Sequence, residues 1–515
     1  VTVIVNPTPA VTVPADITIC AGATVAATNF TSSTTGATYT WANNNTAIGI
    51  AGSGSGNIPA FTATNNTVNP ITATITVTPT ANSCTGTPST YTITVNPTFV
   101  ITVPSDISVC NGAPVAAINF SSPVSGTTYS WTNNNPAIGL AASGSGNIAG
   151  FTATNTSADP ITASITVNSS ANSCSGTPAS FTITVNPTPT MSVPANVTVC
   201  NTASIAATNF TSPTAGTNFT WTNNNTAIGM AGSGSGNIAA FNATNTTANP
   251  ITATITVTPA ANTCTGTPST YTITVNPTPT VTIPANIAVC NGGSVAATNL
   301  SSSTSGTTYT WTNNNTAIGL AASGSGDIAG FNASNTSANP ITATIEVTPT
   351  ANTCIGTPST YSITVNPTPT VSVPANITVC NGGSLTTTSF SSPTSGATYT
   401  WTNNNTAIGL LASGSGDIAG FNAVNITTDP ISAIITVTPT ANNCPGTPSS
   451  YTITVNPTPT VIVPANITVC NGGSVAATSF ISPTSGATYT WTNSNTAIGL
   501  AASGSGDITG FNATN

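Results

Sequence analysis

The stretch Ile71-Thr72-Ala73-Thr74-Ile75-Thr76-Val77 decides the fold. Its apolar side chains recur at every second residue, with threonines between them. Successive residues of a strand point to opposite faces, so Ile71, Ala73, Ile75 and Val77 belong to one buried face; a helix would need a period of 3.6. Tyr91-Thr92-Ile93-Thr94-Val95 alternates in the same way, and Thr38-Tyr39-Thr40-Trp41 puts both aromatics on one side. The β-branched content suits a pleated, half-buried surface.

Turn residues bound these runs. Asn69-Pro70 opens the first, Thr78-Pro79 is read as its end, and Ser53-Gly54-Ser55-Gly56 is read as a flexible crossing, a tight turn or a bulge. A phosphate loop is excluded there, because no Lys and no helix follow. Strands are expected near 10–14, 16–20, 24–30, 37–43, 58–64, 71–77 and 90–96, an antiparallel β-sandwich of about seven strands. Its expected core is Val25, Phe30, Tyr39, Trp41, Ile48, Phe61, Ile71, Ile75, Tyr91 and Ile93.

The pattern then repeats. Trp41 recurs as Trp131, Trp221, Trp311, Trp401 and Trp491, each 90 residues on. Both cysteine series, from Cys20 and from Cys84, keep that step. The 515 residues therefore divide into the end of a preceding repeat (1–8), five repeats (9–98, 99–188, 189–278, 279–368 and 369–458) and a truncated sixth (459–515). Asn96-Pro97 and its equivalents Asn186-Pro187, Asn276-Pro277, Asn366-Pro367 and Asn456-Pro457 form short, stiff linkers. Repeats of about 35–45 Å joined in this way predict an extended rod of about 200–250 Å. Val at position 1, no signal peptide, and ends that fall inside repeats predict a window on a longer secreted array.

Ile19-Cys20-Ala21-Gly22, the Tyr39-Thr40-Trp41 strand, and Ile71–Val77 followed by Asn82-Ser83-Cys84 and Tyr91–Pro97 carry a resemblance. They resemble the PKD-like, immunoglobulin-like repeats of giant surface proteins of Bacteroidetes, including gliding and type IX-secreting bacteria. That resemblance implies a cell-surface adhesin or filament.

Composition narrows the chemistry. Lys, Arg, His and Gln are absent, and Asp plus Glu total 8. Without cations the chain has nothing to neutralise phosphates, so nucleic-acid binding is excluded. Without His or Lys, most proton carriers and every Ser-His-Asp arrangement are missing, so no enzyme, catalytic residue or cofactor is expected. Thr, Asn and Pro interrupt every apolar run, and none is long enough to span a bilayer.

Two cysteines per repeat, with no His and no C-x-x-C pair, read as disulfides and not as a metal site, which places the chain outside the cell. The simplest pairing lies within repeats: Cys20–Cys84, Cys110–Cys174, Cys200–Cys264, Cys290–Cys354 and Cys380–Cys444, with the partner of Cys470 outside the chain. In an ordinary immunoglobulin topology, however, Cys20 and Cys84 sit at opposite ends of the sandwich. A head-to-tail stack would bring Cys20 to Cys174 of the next repeat instead. The within-repeat pairing is the one taken forward.

The carboxylates do not cluster. Asp327, Asp417 and Asp507 replace Asn57, Asn147 and Asn237, while Asp16 and Asp106 become Asn196, Asn286, Asn376 and Asn466. They read as turn-forming Asx residues, and Glu346 as a solvated strand residue, not as calcium ligands. The Trp41 series reads as core and not as a sugar-stacking platform. Asn29-Phe30-Thr31 and Asn44-Asn45-Thr46 are glycosylation sequons that composition alone would produce. The expected function is the stalk of a secreted bacterial surface adhesin or the body of an extracellular filament. Its expected partners are neighbouring repeats and, through Thr-rich edges, other copies of the chain. The alternative is a glycan- or ice-binding module using Thr-rich sheet faces.

Overall fold

The computed structural model describes all residues, Val1–Asn515. They form two compact units, Val1–Asn245 with Ile251–Val275, and Thr246–Pro250 with Asn276–Asn515. Each unit is a succession of one sandwich, described here for the first repeat. Its strands are β1 (Ile17–Cys20), β2 (Thr24–Val25), β3 (Thr38–Asn43), β4 (Ser53–Ser55), β5 (Phe61–Thr62), β6 (Ile71–Ala81), β7 (Cys84–Thr85) and β8 (Ser89–Asn96).

β6 is the spine. It pairs antiparallel with β3 on one side and with β8 on the other. β4 extends the sheet beyond β3, and β1 closes the far edge in parallel with β8, giving the order β1-β8-β6-β3-β4. The facing layer is slight: β2 pairs with β5, and single bridges join Thr28 to Ile58 and Thr12 to Thr31. Between the layers lie Val25, Phe30, Trp41, Ile48, Ile75, Tyr91 and Ile93, all buried, with Tyr39, Phe61 and Ile71 half-buried against them. Val11, Ile58, Ala63, Ala73, Val77 and Val95 complete that core.

Five expectations need correction. The strand expected at 10–14 is reduced to the bridge at Thr12, and those at 24–30 and 58–64 to two-residue pairs. β6 does not end at Thr78-Pro79 but runs to Ala81. Pro79 is tolerated because its carbonyl, accepting from the Gly86 amide at 2.8 Å, faces the break between β7 and β8, where no ladder donor is needed. Ser53-Gly54-Ser55 is a ladder strand opposite Trp41. A Cβ on Gly54 would strike the Trp41 indole, so the glycine makes room for the ring to lie over the strand. The same clash recurs at Gly144, Gly234, Gly324, Gly414 and Gly504 with their tryptophans.

The polar residues are structural. Asp16 Oδ1 accepts from the Thr92 amide at 2.7 Å, where the parallel ladder of β1 and β8 begins. Asn57 and Asp417 accept from the backbone amides of Phe30 and Phe390. Asn43, Asn44 and Asn45 divide three tasks that sequence reading left unassigned. Asn43 holds the 50–51 backbone, Asn44 accepts from the Thr74 amide, and Asn45 caps a short turn and donates to Thr72.

Candidate functional site: the junction between repeats

The cysteines converge where one sandwich meets the next. Cys20 is the last residue of β1 and pairs in register with Asn96, the last residue of β8. Both therefore stand at the exit end of the first repeat. The β6–β7 hairpin projects from the other end of each repeat. Its two turn residues, Asn82 and Ser83, have φ of 48° and 64°, the left-handed pair that a tight two-residue hairpin requires. Since Cys20 is level with Asn96, near the start of β6, and Cys84 is level with Ala81 at its end, the two are separated by the length of β6, about 35 Å.

A disulfide between Cys20 and Cys84 is thus out of reach, and the within-repeat pairing is overturned. The bonds are Cys20–Cys174, Cys110–Cys264 and Cys290–Cys444, with Cα separations of 5.7, 5.6 and 5.6 Å and the same sequence separation of 154. Cys200 and Cys354 are also disulfide-bonded, so neither Cys200–Cys264 nor Cys290–Cys354 forms. Cys84, Cys380 and Cys470 carry free thiols. This corrects Cys380–Cys444 as well as Cys20–Cys84, because Cys444 is taken by Cys290.

Backbone and side-chain contacts surround each sulfur bridge. Asn96, buried at 4% exposure, donates from Nδ2 to the carbonyl of Asn172 at the next hairpin tip, 2.9 Å away. Asn186 reaches Asn262 in the same way at 3.4 Å. The linker does not hang free but runs beside the following hairpin. The Thr177 amide donates to Phe99 at 3.0 Å, and the Thr447 amide donates to Pro369 at 3.1 Å. Glycine is required where linker and hairpin touch, since a Cβ on Gly266 would fall on the Pro189 carbonyl. Two cysteines per repeat signalled a bridge without naming its partner; the asparagine contact had no sequence signal.

Little else in the molecule has the makings of a site. An open groove of about 430, 470 and 510 Å³ recurs in repeats one, two and four, with Pro14, Ile17, Ile19 and Val25 among its walls in the first. No charged side chain lines it. No three His, Cys, Asp or Glu residues gather in a metal-binding group, and no helix is long and apolar enough to cross a membrane. Trp41 is 7% exposed, so it offers no sugar-stacking face. Its indole N–H has no hydrogen-bond partner, which nothing in the structure explains.

The fold and the junctions define an all-β tandem-repeat protein of the extracellular structural or adhesion type, since its bonded cysteines require an oxidising setting. The chain belongs to the PKD-like domain family, whose model matches residues 17–99, 107–189, 197–279, 287–369 and 377–459. No curated protein matches the sequence. Among solved structures it is similar to the protocadherin GammaB4 extracellular domain (13% identity, 86% of this chain and 83% of that one, TM-score 0.28). It is also similar to the human desmocollin-1 ectodomain (11%, 86% and 98%, 0.25) and to the immunoglobulin domains 1–5 of sidekick-1 (13%, 87% and 99%, 0.23). At those TM-scores the family match alone identifies the fold.

Proposed function

We propose that the chain is a stalk segment of a bacterial surface adhesin or extracellular filament, a spacer that holds other parts away from the cell. The observation that carries this reading is the junction: sulfur bridge, ordered linker and docked hairpin recur with one sequence separation. A binding protein needs one good site, whereas a spacer needs every joint to be stiff. The absence of Lys and Arg supports the same reading, because trypsin-like proteases find nothing to cut. No catalysis is assigned, as the chain lacks His and Lys and the carboxylates of Asp16, Asp106, Asp327, Asp417 and Asp507 accept from backbone amides.

The Thr-rich face supports a structural role before a glycan or ice ligand. Thr72 and Thr94 hydroxyls pair across the strands at 2.9 Å, as do Thr162 with Thr184 and Thr342 with Thr364. Hydroxyls bonded to one another have less to offer a ligand. Small-angle scattering tests the stalk: a thin rod is expected, and a compact particle of ordinary radius for 50.5 kDa overturns it.

A further inference from the structure

We infer that the staples make the array tolerant of backbone breakage: from Cys20 to Cys264 and from Cys290 to Cys444 the bonds form a second covalent rail, and a single cut there, in the enclosed linkers included, does not sever the chain. Its biological use rests on the stalk reading; its chemistry follows from connectivity.

The inference turns on overlap. The bond from Cys20 to Cys174 closes a loop containing the rest of the first repeat, the linker Asn96–Thr98 and most of the second repeat. The bond from Cys110 to Cys264 opens inside that loop and closes beyond it. Every peptide bond between Cys20 and Cys264 therefore lies within at least one closed loop, and those between Cys110 and Cys174 lie within two. In the second unit, Cys290–Cys444 encloses the linker Asn366-Pro367 in the same way. Pairing within repeats would have left each linker as a single unprotected strand of chain. Staggering the bonds by one repeat moves the protection onto the joints.

The placement agrees with this role. None of the five hydrophobic clusters contains a cysteine. Each bridging sulfur of these three bonds lies at a strand end or hairpin tip, outside those clusters, where it joins one repeat to the next. Shear on a linker is thus shared between the peptide chain and a disulfide.

The missing cations make the test clean. Thr98 is exposed in the first linker, and Thr98→Lys creates the only tryptic site in the chain. The full-length variant, kept oxidised, is digested with trypsin and run with and without a dithiol reductant. The expected result is one species at the full mass without reductant, resolving into pieces of 98 and 417 residues with it. Pieces that separate without reductant overturn the inference. Should the docked linker resist trypsin, digestion in urea without reductant delivers the same cut, and the Val100→Lys variant at another exposed position delivers an equivalent one into 100 and 415 residues. Failure here would leave the scattering test of the stalk intact, and a compact particle there would leave this result standing.

Discussion

The fifth repeat and the sixth carry nearly the same sequence over their shared length, yet only one is a closed sandwich. In the fifth, Ile377–Cys380 is a strand in parallel with Ser449–Asn456, and Ile408 has 0% exposure. Within these 515 residues the sixth repeat stops before the positions of β6 and β8, and the matching residues 467–470 form no strand. Ile467 is 56% exposed there, and Ile498, the counterpart of Ile408, is 39% exposed. What survives is what pairs nearby. Thr490–Thr492 still pairs with Ser503–Ser505, Ser474–Val475 with Phe511–Asn512, and Trp491 still covers Gly504. The comparison separates contacts the local sequence can hold from those that need the spine.

The largest test of that contrast truncates equivalent isoleucines. Ile318→Ala, at a site with 0% exposure, should cost its repeat about 2–5 kcal/mol, whereas Ile498→Ala should cost less than about 1 kcal/mol. Native-state hydrogen exchange, resolved by repeat, reads both. Equal losses would mean that the sixth repeat buries this position after all.

A smaller effect should be nearly the same in both regions. Gly414→Ala and Gly504→Ala each drive a methyl group into a tryptophan that lies over the strand, an overpacking cost of about 1–3 kcal/mol. Tryptophan fluorescence and exchange of the β4 amides should change alike in the fifth and sixth repeats. A penalty confined to the fifth would show that the indole is held by the spine and not by its own hairpin.

The smallest effect is that of pH. Burial raises the phenols of Tyr271, Tyr361 and Tyr451 above their ordinary 10.0, partly offset by Thr208, Thr298 and Thr388. Hydrogen bonds lower Asp106 and Asp417 below 3.8, chiefly from the Thr182 backbone and the Ser389 hydroxyl respectively. For the tyrosines the unfolded chain loses its protons first, so stability falls as pH rises above 10. For the aspartates the stabilisation is present above 3.8 and is lost as pH falls through their lowered values. Between about pH 5 and 9 the melting temperature of the complete repeats should stay flat, because there is no His to titrate. A slope inside that window would contradict this assignment of the titrating groups.

Much of this was legible in the residues. Alternation in Ile71–Val77 and Tyr91–Val95 identified the two central strands, and the 90-residue period identified the array. The short strands were less legible, because a two-residue pair such as Thr24–Val25 with Phe61–Thr62 leaves no periodicity to read. Ser53-Gly54-Ser55 looked like a turn since its glycine is explained only by the ring of Trp41, which reaches it across the hairpin.

The sequence by itself determined the strand faces, the repeat and the oxidised state, since these follow from residue type and spacing along one chain. Only the tertiary structure decided the junction. Cys20 faces the next hairpin because β1 runs parallel to β8, which carries it to the exit end of the repeat beside Asn96. That parallel pairing joins residues 76 apart, Ile17 to Ile93, and leaves no local signal. The partner of a cysteine is set by where its strand ends in space, and spacing along the chain does not record that.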